Sequence, residues 1–252
     1  MSNAKVELGR HLFYDRRLSV TGTHSCASCH KQELAFTDGE GKPTGATGQA
    51  IPRNSMSLTN VAYYYPYTWS NSLLHTLEEQ ALVPMFAQAP IELGLTGVID
   101  SVLAGLADAP AYSELIPAAF PELSGEGRFE ASHVVRALAA FERTLISGSA
   151  PFDRYVYGGD ESAVSEDAKR GFELFNSEKF ECYHCHTGLN FTSAFRSRET
   201  ALLGKDYQNN GLYNLDAKGA YPQESPGLVA ITGRAADNGK FRVPTLRNVT
   251  KT

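Results

Sequence analysis

In THSCASCHKQ (residues 23–32) two cysteines stand three apart, and a histidine follows the second: Cys26, Cys29, His30. FECYHCHTG repeats the pattern with Cys182, Cys185 and His186, and these are all four cysteines of the chain. Three chemistries compete for such a set. Two disulfides would use the cysteines but leave the histidine after each pair unexplained. A zinc site built from two Cys-x-x-Cys knuckles would use four thiolates. Knuckles that share one ion usually lie closer in sequence, however, and zinc does not require the following histidine. Covalent c-type haem uses every residue of the pattern, twice. Each sulfur bonds one vinyl-derived carbon of the porphyrin, and the three-residue step matches the separation of those carbons. The adjacent histidine then falls under the iron as its proximal ligand. This third reading accounts for the most residues, and two covalent c-type haems are expected.

Such motifs need elements to hold them. KVELGRHLFYD carries Leu8 and Leu12 one helical turn apart and reads as a short amphipathic helix before the first motif. Residues 37–55 are rich in Gly, Pro and Thr and read as a loop. NSLLHTLEEQALVPMF places Leu73, Leu74, Leu77 and Ala81 on one face, with Asn71 or Ser72 as N-cap and Pro84 past the end. IDSVLAGLAD and PAYSELIPAAF read as short helices broken by proline. FEASHVVRALAAFERTLIS is the strongest helix, with Val134, Leu138, Phe141 and Leu145 at helical spacing. GSAPFDRYVYGGDES reads as a connector. SEDAKRGFELFNS is a capped helix with an acidic first turn and Phe172 and Phe175 inward, leading into the second motif. The order helix, then Cys-x-x-Cys-His, occurs twice. The expected fold is therefore mainly α and loop-rich: two cytochrome-c-like domains, residues 5–149 and 150–252, each around one covalent haem that supplies apolar surface to pack against.

Bulk properties exclude other classes. The chain has 252 residues and a net charge of −5, which gives no signal for a nucleic-acid or membrane-surface partner. No apolar run approaches the roughly 20 residues of a membrane helix. No export signal is visible. The opening MSNA reads as a start codon plus a cloning remnant, with native sequence from near Lys5.

LGRHLFYDRRLS, CASCH, RNSMSLTN, LEEQALVP, ALAAFERTLISGSAPFDRYVYG, CYHCHTGLNF and TGRAADNGKFRVPTLRNVT together resemble the bacterial dihaem cytochrome c peroxidase superfamily, which includes MauG-like enzymes. The resemblance runs from Lys5 to Thr252. It implies a periplasmic protein with a peroxidatic N-terminal haem on His30 and an electron-transfer C-terminal haem on His186. It assigns Gln80 and Glu92 as the distal pair over the peroxidatic haem. A carboxyl there moves a proton between the peroxide oxygens and an amide orients the substrate. Without the resemblance, Glu92 alone would read as a solvated loop carboxylate, and Glu78 and Glu79 read as a solvated helix face. Trp69, the only tryptophan, matches the residue that family members place between the haems; as a residue in its own right it is equally a core anchor. Asn54 matches the side-chain ligand of a structural calcium whose other protein ligands are backbone carbonyls, one near Thr252.

Two departures stand out. Members with a capped peroxidatic iron carry a histidine in the loop after the first motif, but Asp38–Arg53 has none. His75 is the next candidate and reads as a surface or packing residue, so an open N-terminal haem that needs no reductive activation is expected. The family also continues beyond VPTLRNVTKT into a region that supplies the sixth ligand of the second haem, so the sequence is expected to be C-terminally incomplete. Tyr207, Tyr213 and Tyr221 are weak substitutes for that ligand. The remaining histidines, His11, His24, His133 and His184, read as bystanders. The leading expectation is a peroxidase that reduces hydrogen peroxide to water with electrons from a small cytochrome c or cupredoxin. The alternatives are MauG-like, peroxide-driven oxidation of a protein or small-molecule substrate, and a non-catalytic dihaem electron carrier. Family members often form calcium-dependent dimers, which leaves a homodimer open.

Overall fold

The computed structural model describes residues 1–124, 127–196, 206–211, 213–214, 217 and 220–252. The chain is mainly helical with little sheet, and it divides into two compact units. Unit 1 comprises Met1–Ala62, Leu73–Leu145 and Thr250–Thr252; unit 2 comprises Tyr63–Ser72 and Ile146–Val249. Among the described residues no helix is long and apolar enough to cross a membrane.

Unit 1 is built on α1 (Asn3–Tyr14) and α6 (Ala131–Glu142), which pack lengthwise. The Ser2 hydroxyl caps α1 by accepting from Lys5 N at 3.3 Å, so the stretch read as a cloning remnant takes part in the helix. Leu8, Leu12 and Phe13 of α1 are fully buried, as are Val134 and Leu138 of α6, and the Phe13 and Phe141 rings lie 5.2 Å apart. The helices approach closely because Gly9 faces the backbone of Ala137: a Cβ there would lie 1.9 Å from the Ala137 carbonyl oxygen. Gly9→Val is therefore expected to destabilise unit 1 by about 3 kcal/mol, the upper end for overpacking, because backbone must move. The measurement is the urea midpoint at constant m-value; an unchanged midpoint would contradict this packing.

The short turn α2 (Cys26–Cys29) holds the first motif. Next come α3 (Leu77–Phe86), α4 (Ile99–Ala107) and α5 (Leu115–Ala119), with α3 and α5 flanking the α1–α6 pair. α3 starts later than its apolar pattern suggests. Thr76 is the N-cap, accepting from Glu79 N at 3.1 Å, and Leu73 is exposed. Pro84 lies inside α3 rather than past it. Its missing N–H falls in the last turn, and its carbonyl accepts from Leu93 N at 2.9 Å. Glu78 is not simply solvated: it receives a two-pronged hydrogen bond from Arg143, at 2.7 Å on each arm, which ties α3 to the end of α6. Leu145 lies past the end of α6 and is only half-buried.

In unit 2 the expected connector contains a helix, α7 (Pro151–Val156), with proline at its first position. α8 (Glu166–Phe175) is capped by Ser165. Its Phe172 and Phe175 are half-buried rather than buried, and they reach Phe152 and Phe191 at ring separations of 5.2 and 5.8 Å. After α8 come β1 (Tyr207–Asn209), α9 (Val229–Thr232) and β2 (Lys240–Arg242). β1 and β2 pair antiparallel, Tyr207 opposite Arg242. The segment after β2 clamps the loop that follows the second motif. Thr192 Oγ1 donates to the Val243 carbonyl at 2.6 Å, Thr245 Oγ1 to Asn190 at 2.5 Å, and Arg247 Nε to Leu189 at 2.8 Å.

Candidate active site

Each Cys-x-x-Cys-His forms one tight helical turn. His30 N donates to the Cys26 carbonyl at 2.9 Å, and His186 N donates to the Cys182 carbonyl at 2.9 Å. The turn puts both sulfurs one step apart with the histidine directly after them. No disulfide joins any of the cysteines. Among the described residues the one cluster of potential metal ligands is the exposed set Glu178, Glu181 and His184, which includes no cysteine.

The two histidines are held alike. His30 Nδ1 lies 2.9 Å from the Phe36 carbonyl oxygen, and His186 Nδ1 lies 3.0 Å from that of Phe191. A carbonyl only accepts, so Nδ1 carries the proton and Nε2 the lone pair, as an iron-ligating imidazole requires. Both phenylalanines sit at positive φ, 62° for Phe36 and 49° for Phe191. A bulky residue rarely adopts that conformation, and here it turns the carbonyl toward the histidine. Burial lowers the His30 pKa, opposed by hydrogen bonds to the Phe36 and Met56 backbone and by the charge of Asp38.

In unit 1 the motif opens onto a cavity with about 710 Å³ of empty space, its mouth included. Cys26, Cys29 and His30 line it, together with Leu58, Met85, Leu93 and Leu138. An apolar slot beside two thiols and an imidazole suits a covalently attached porphyrin. Burial, with the charge of Glu92 next, pushes the Cys29 thiol up to about 11.

Gln80 and Glu92 line the same cavity. α3 carries Gln80. Glu92 comes from the loop after α3, which folds back on that helix through Leu93 N to Pro84 O and Leu95 N to Met85 O, both 2.9 Å. The far side of the loop is held by Ala46 N, which donates to the Glu92 carbonyl at 2.7 Å. Only glycine fits beside it: a Cβ on Gly45 would lie 2.1 Å from the Ile91 carbonyl oxygen. Burial alone raises the Glu92 pKa above the usual carboxylate range.

Other expected site residues lie elsewhere. Trp69 belongs to unit 2, is half-buried, accepts from Arg242 N at 2.7 Å through its carbonyl, and does not line the unit-1 cavity. Asn54 and Thr252 are exposed and belong to unit 1. His75 is exposed and outside the cavity lining, and no residue of Asp38–Arg53 is a histidine. His24, expected close to the first motif but without a ligand role, lines the cavity, with Nδ1 2.9 Å from Thr23 Oγ1. One lining residue escaped sequence reasoning: Glu142, whose signal was an acid four residues after Leu138, on the inward stripe of α6.

The family profile for di-haem cytochrome c peroxidase matches residues 3–162. The chain is 42% identical over 188 residues to the methylamine utilization protein MauG of Methylorubrum extorquens, a match that covers 75% of this chain and 50% of that protein. It is 31% identical over 246 residues to the cytochrome c551 peroxidase of Nitrosomonas europaea, covering 97% of this chain and 65% of that one. The crystal structure of a MauG-like protein associated with microbial copper homeostasis superposes with a TM-score of 0.91 at 42% identity, covering all of this chain and 71% of that one. The chain spans about half the length of the MauG proteins it matches. These matches converge with the two motifs: the chain belongs to the di-haem cytochrome c peroxidase family.

Proposed function

We propose that this protein is a dihaem c-type peroxidase that reduces hydrogen peroxide to water in the periplasm, with electrons from a small redox protein. In this reading unit 1 is the peroxidatic haem domain and unit 2 the electron-transfer haem domain. The observation that carries it is the placement of Gln80 and Glu92 in the cavity that Cys26, Cys29 and His30 line. Cys26, Cys29 and His30 would hold one haem, and Cys182, Cys185 and His186 the other. When bound, the haem iron in unit 1 supplies the electron exchange and polarises the O–O bond. Glu92, half-buried and with a pKa raised by desolvation, takes the proton from one peroxide oxygen and delivers it to the other. The Gln80 amide orients the peroxide. The Phe36 carbonyl fixes the His30 ring. Glu92 must be ionised to accept a proton, so the acid limb of kcat/KM is expected above the usual glutamate range. A limb within that range would contradict burial as the cause.

A calcium ion on the Asn54 side chain and backbone carbonyls near Thr252 fits the grouping of Thr250–Thr252 with the unit that contains Asn54. Calcium titration after chelation is expected to return one ion per chain, and Asn54→Ala to return none. Either result alone decides it.

A second reading, oxidation of a protein or small molecule as in MauG-like enzymes, is favoured by the absence of histidine from Asp38–Arg53. The test mixes the fully oxidised haem-loaded protein with peroxide and reduced small cytochrome c. Rapid donor oxidation without pre-reduction supports the peroxidase. A long-lived spectral change with little donor oxidation supports the second reading instead.

A further inference from the structure

Peroxide reduction needs protons that Glu92 does not supply. Glu92 takes a proton from one peroxide oxygen and returns it to the other, so it ends as it began. The first water leaves with the two protons that peroxide brought. The second oxygen becomes water only after taking up two more protons, together with two electrons from the reduced redox-protein donor.

Glu142 is a cavity-lining group suited to this need. It ends α6, is 6% exposed, and its Oε2 is buried without a hydrogen-bond partner among the described residues. An unpartnered buried carboxylate is costly, and the negative end of the helix dipole disfavours it further. The charged groups that face it are Arg143 and, from α3, Glu78, and these two are paired with each other. Cys26 of α2 is a further titratable neighbour, and His24, Cys29, His30 and Glu92 line the same cavity. α1 buries only Leu8, Gly9, Leu12 and Phe13. Burial dominates, opposed by Arg143 and reinforced by Glu78, and pushes Glu142 up to about 8.

We propose that Glu142 is a proton-supplying residue of the unit-1 cavity. The O–H bond of its carboxyl breaks as an O–H bond of the second water forms, solvent reprotonates the carboxylate, and a second transfer of the same kind supplies the other proton of that water. The role rests on the peroxidase reading above.

The test uses the haem-loaded protein and Glu142→Gln, which keeps shape and polarity but has no transferable proton. Infrared difference spectra are expected to show a protonated carboxyl at neutral pH that is lost with a midpoint near 8 and is absent from the variant. Because the folded state holds this proton more tightly, wild-type stability should fall as pH rises from the usual glutamate range through that midpoint, and the variant should lack the loss. Donor-supported turnover of the variant should fall by about a hundredfold, while the spectral response to peroxide alone keeps its rate. Unchanged turnover, or a wild-type spectrum with no such carboxyl, overturns the proposal. If the variant does not fold, the wild-type infrared spectrum and pH profile still decide: turnover must decline above the midpoint, and a flat profile refutes the role. Wild-type protein that never consumes peroxide sinks the peroxidase reading instead, whatever the infrared spectrum shows.

Discussion

Replacing Glu92 by glutamine is expected to lower peroxide turnover by about 10²- to 10⁴-fold, the range for loss of a positioned proton-transfer group. The amide preserves size and keeps a hydrogen bond to substrate, but it cannot accept a proton at neutral pH. Covalent haem attachment should be intact, because Cys26, Cys29 and His30 sit on α2 and its C-cap, whereas Glu92 comes from the loop after α3. The variant should also lose the acid limb in its pH profile. Single-mixing and steady-state assays of haem-loaded protein check this. Turnover within threefold of wild type, or a retained acid limb, would remove Glu92 from the chemistry. Gln80→Leu should cost less, because the amide orients but transfers nothing.

Removing one partner of the Asp153–Arg247 ion pair is expected to destabilise unit 2 by about 3–5 kcal/mol. The residues are 5% and 7% exposed, and the guanidinium engages both carboxylate oxygens. Arg247 also donates to the Leu189 carbonyl, so the pair ties α7 to the loop that orients Phe191 over His186. Arg247→Met leaves Asp153 as a buried charge without its counter-ion. The double variant Asp153→Leu with Arg247→Met removes both charges and should recover most of the loss. Burial pushes the Asp153 pKa up, but hydrogen bonds from Arg247 and the Ala150 N–H outweigh it and lower the net value. A lowered folded pKa means that the pair's stabilisation is present above the usual aspartate range and is lost as pH falls through the folded value. The gap between wild type and Arg247→Met should therefore close in acid. Denaturant midpoints measure it, and a single variant within about 1 kcal/mol of wild type would show that the pair contributes only as a surface bridge does.

The two Cys-x-x-Cys-His motifs stand out in the sequence because the chemistry they imply is local: five consecutive residues state it. α1, α6 and α8 were legible because their apolar residues recur at helical period over ten or more positions. α7 was not. It spans six residues between proline and a glycine pair, too short for a period to show. The start of α3 was misread because Leu73 and Leu74 continue its apolar pattern, while the capping chemistry of Thr76 and Glu79 decides where the helix begins. Pro84 was read as a stop, although the structure places it inside the last turn of α3, which ends two residues later at Phe86. The assignment of Tyr63–Ser72, and with it Trp69, to unit 2 depends on pairing such as Arg242 N to the Trp69 carbonyl, which no local pattern encodes. Glu142 was hidden for a different reason. A glutamate at a helix end reads as solvated by default, and only the packing of α3 and α6 reveals it as a wall of the cavity.

If the cavity beside Cys26, Cys29 and His30 is an open peroxide site, peroxide reacts there without prior reduction. The most direct measurement is to mix the fully oxidised, haem-loaded protein with peroxide, without donor or reductant, and to follow the haem absorbance and the loss of peroxide. Rapid consumption of peroxide with an immediate spectral change is expected, both abolished in Glu92→Gln. A spectrum that peroxide leaves untouched until the protein is reduced would contradict it: the iron would then be capped, and His24 and His75 would be the residues to replace.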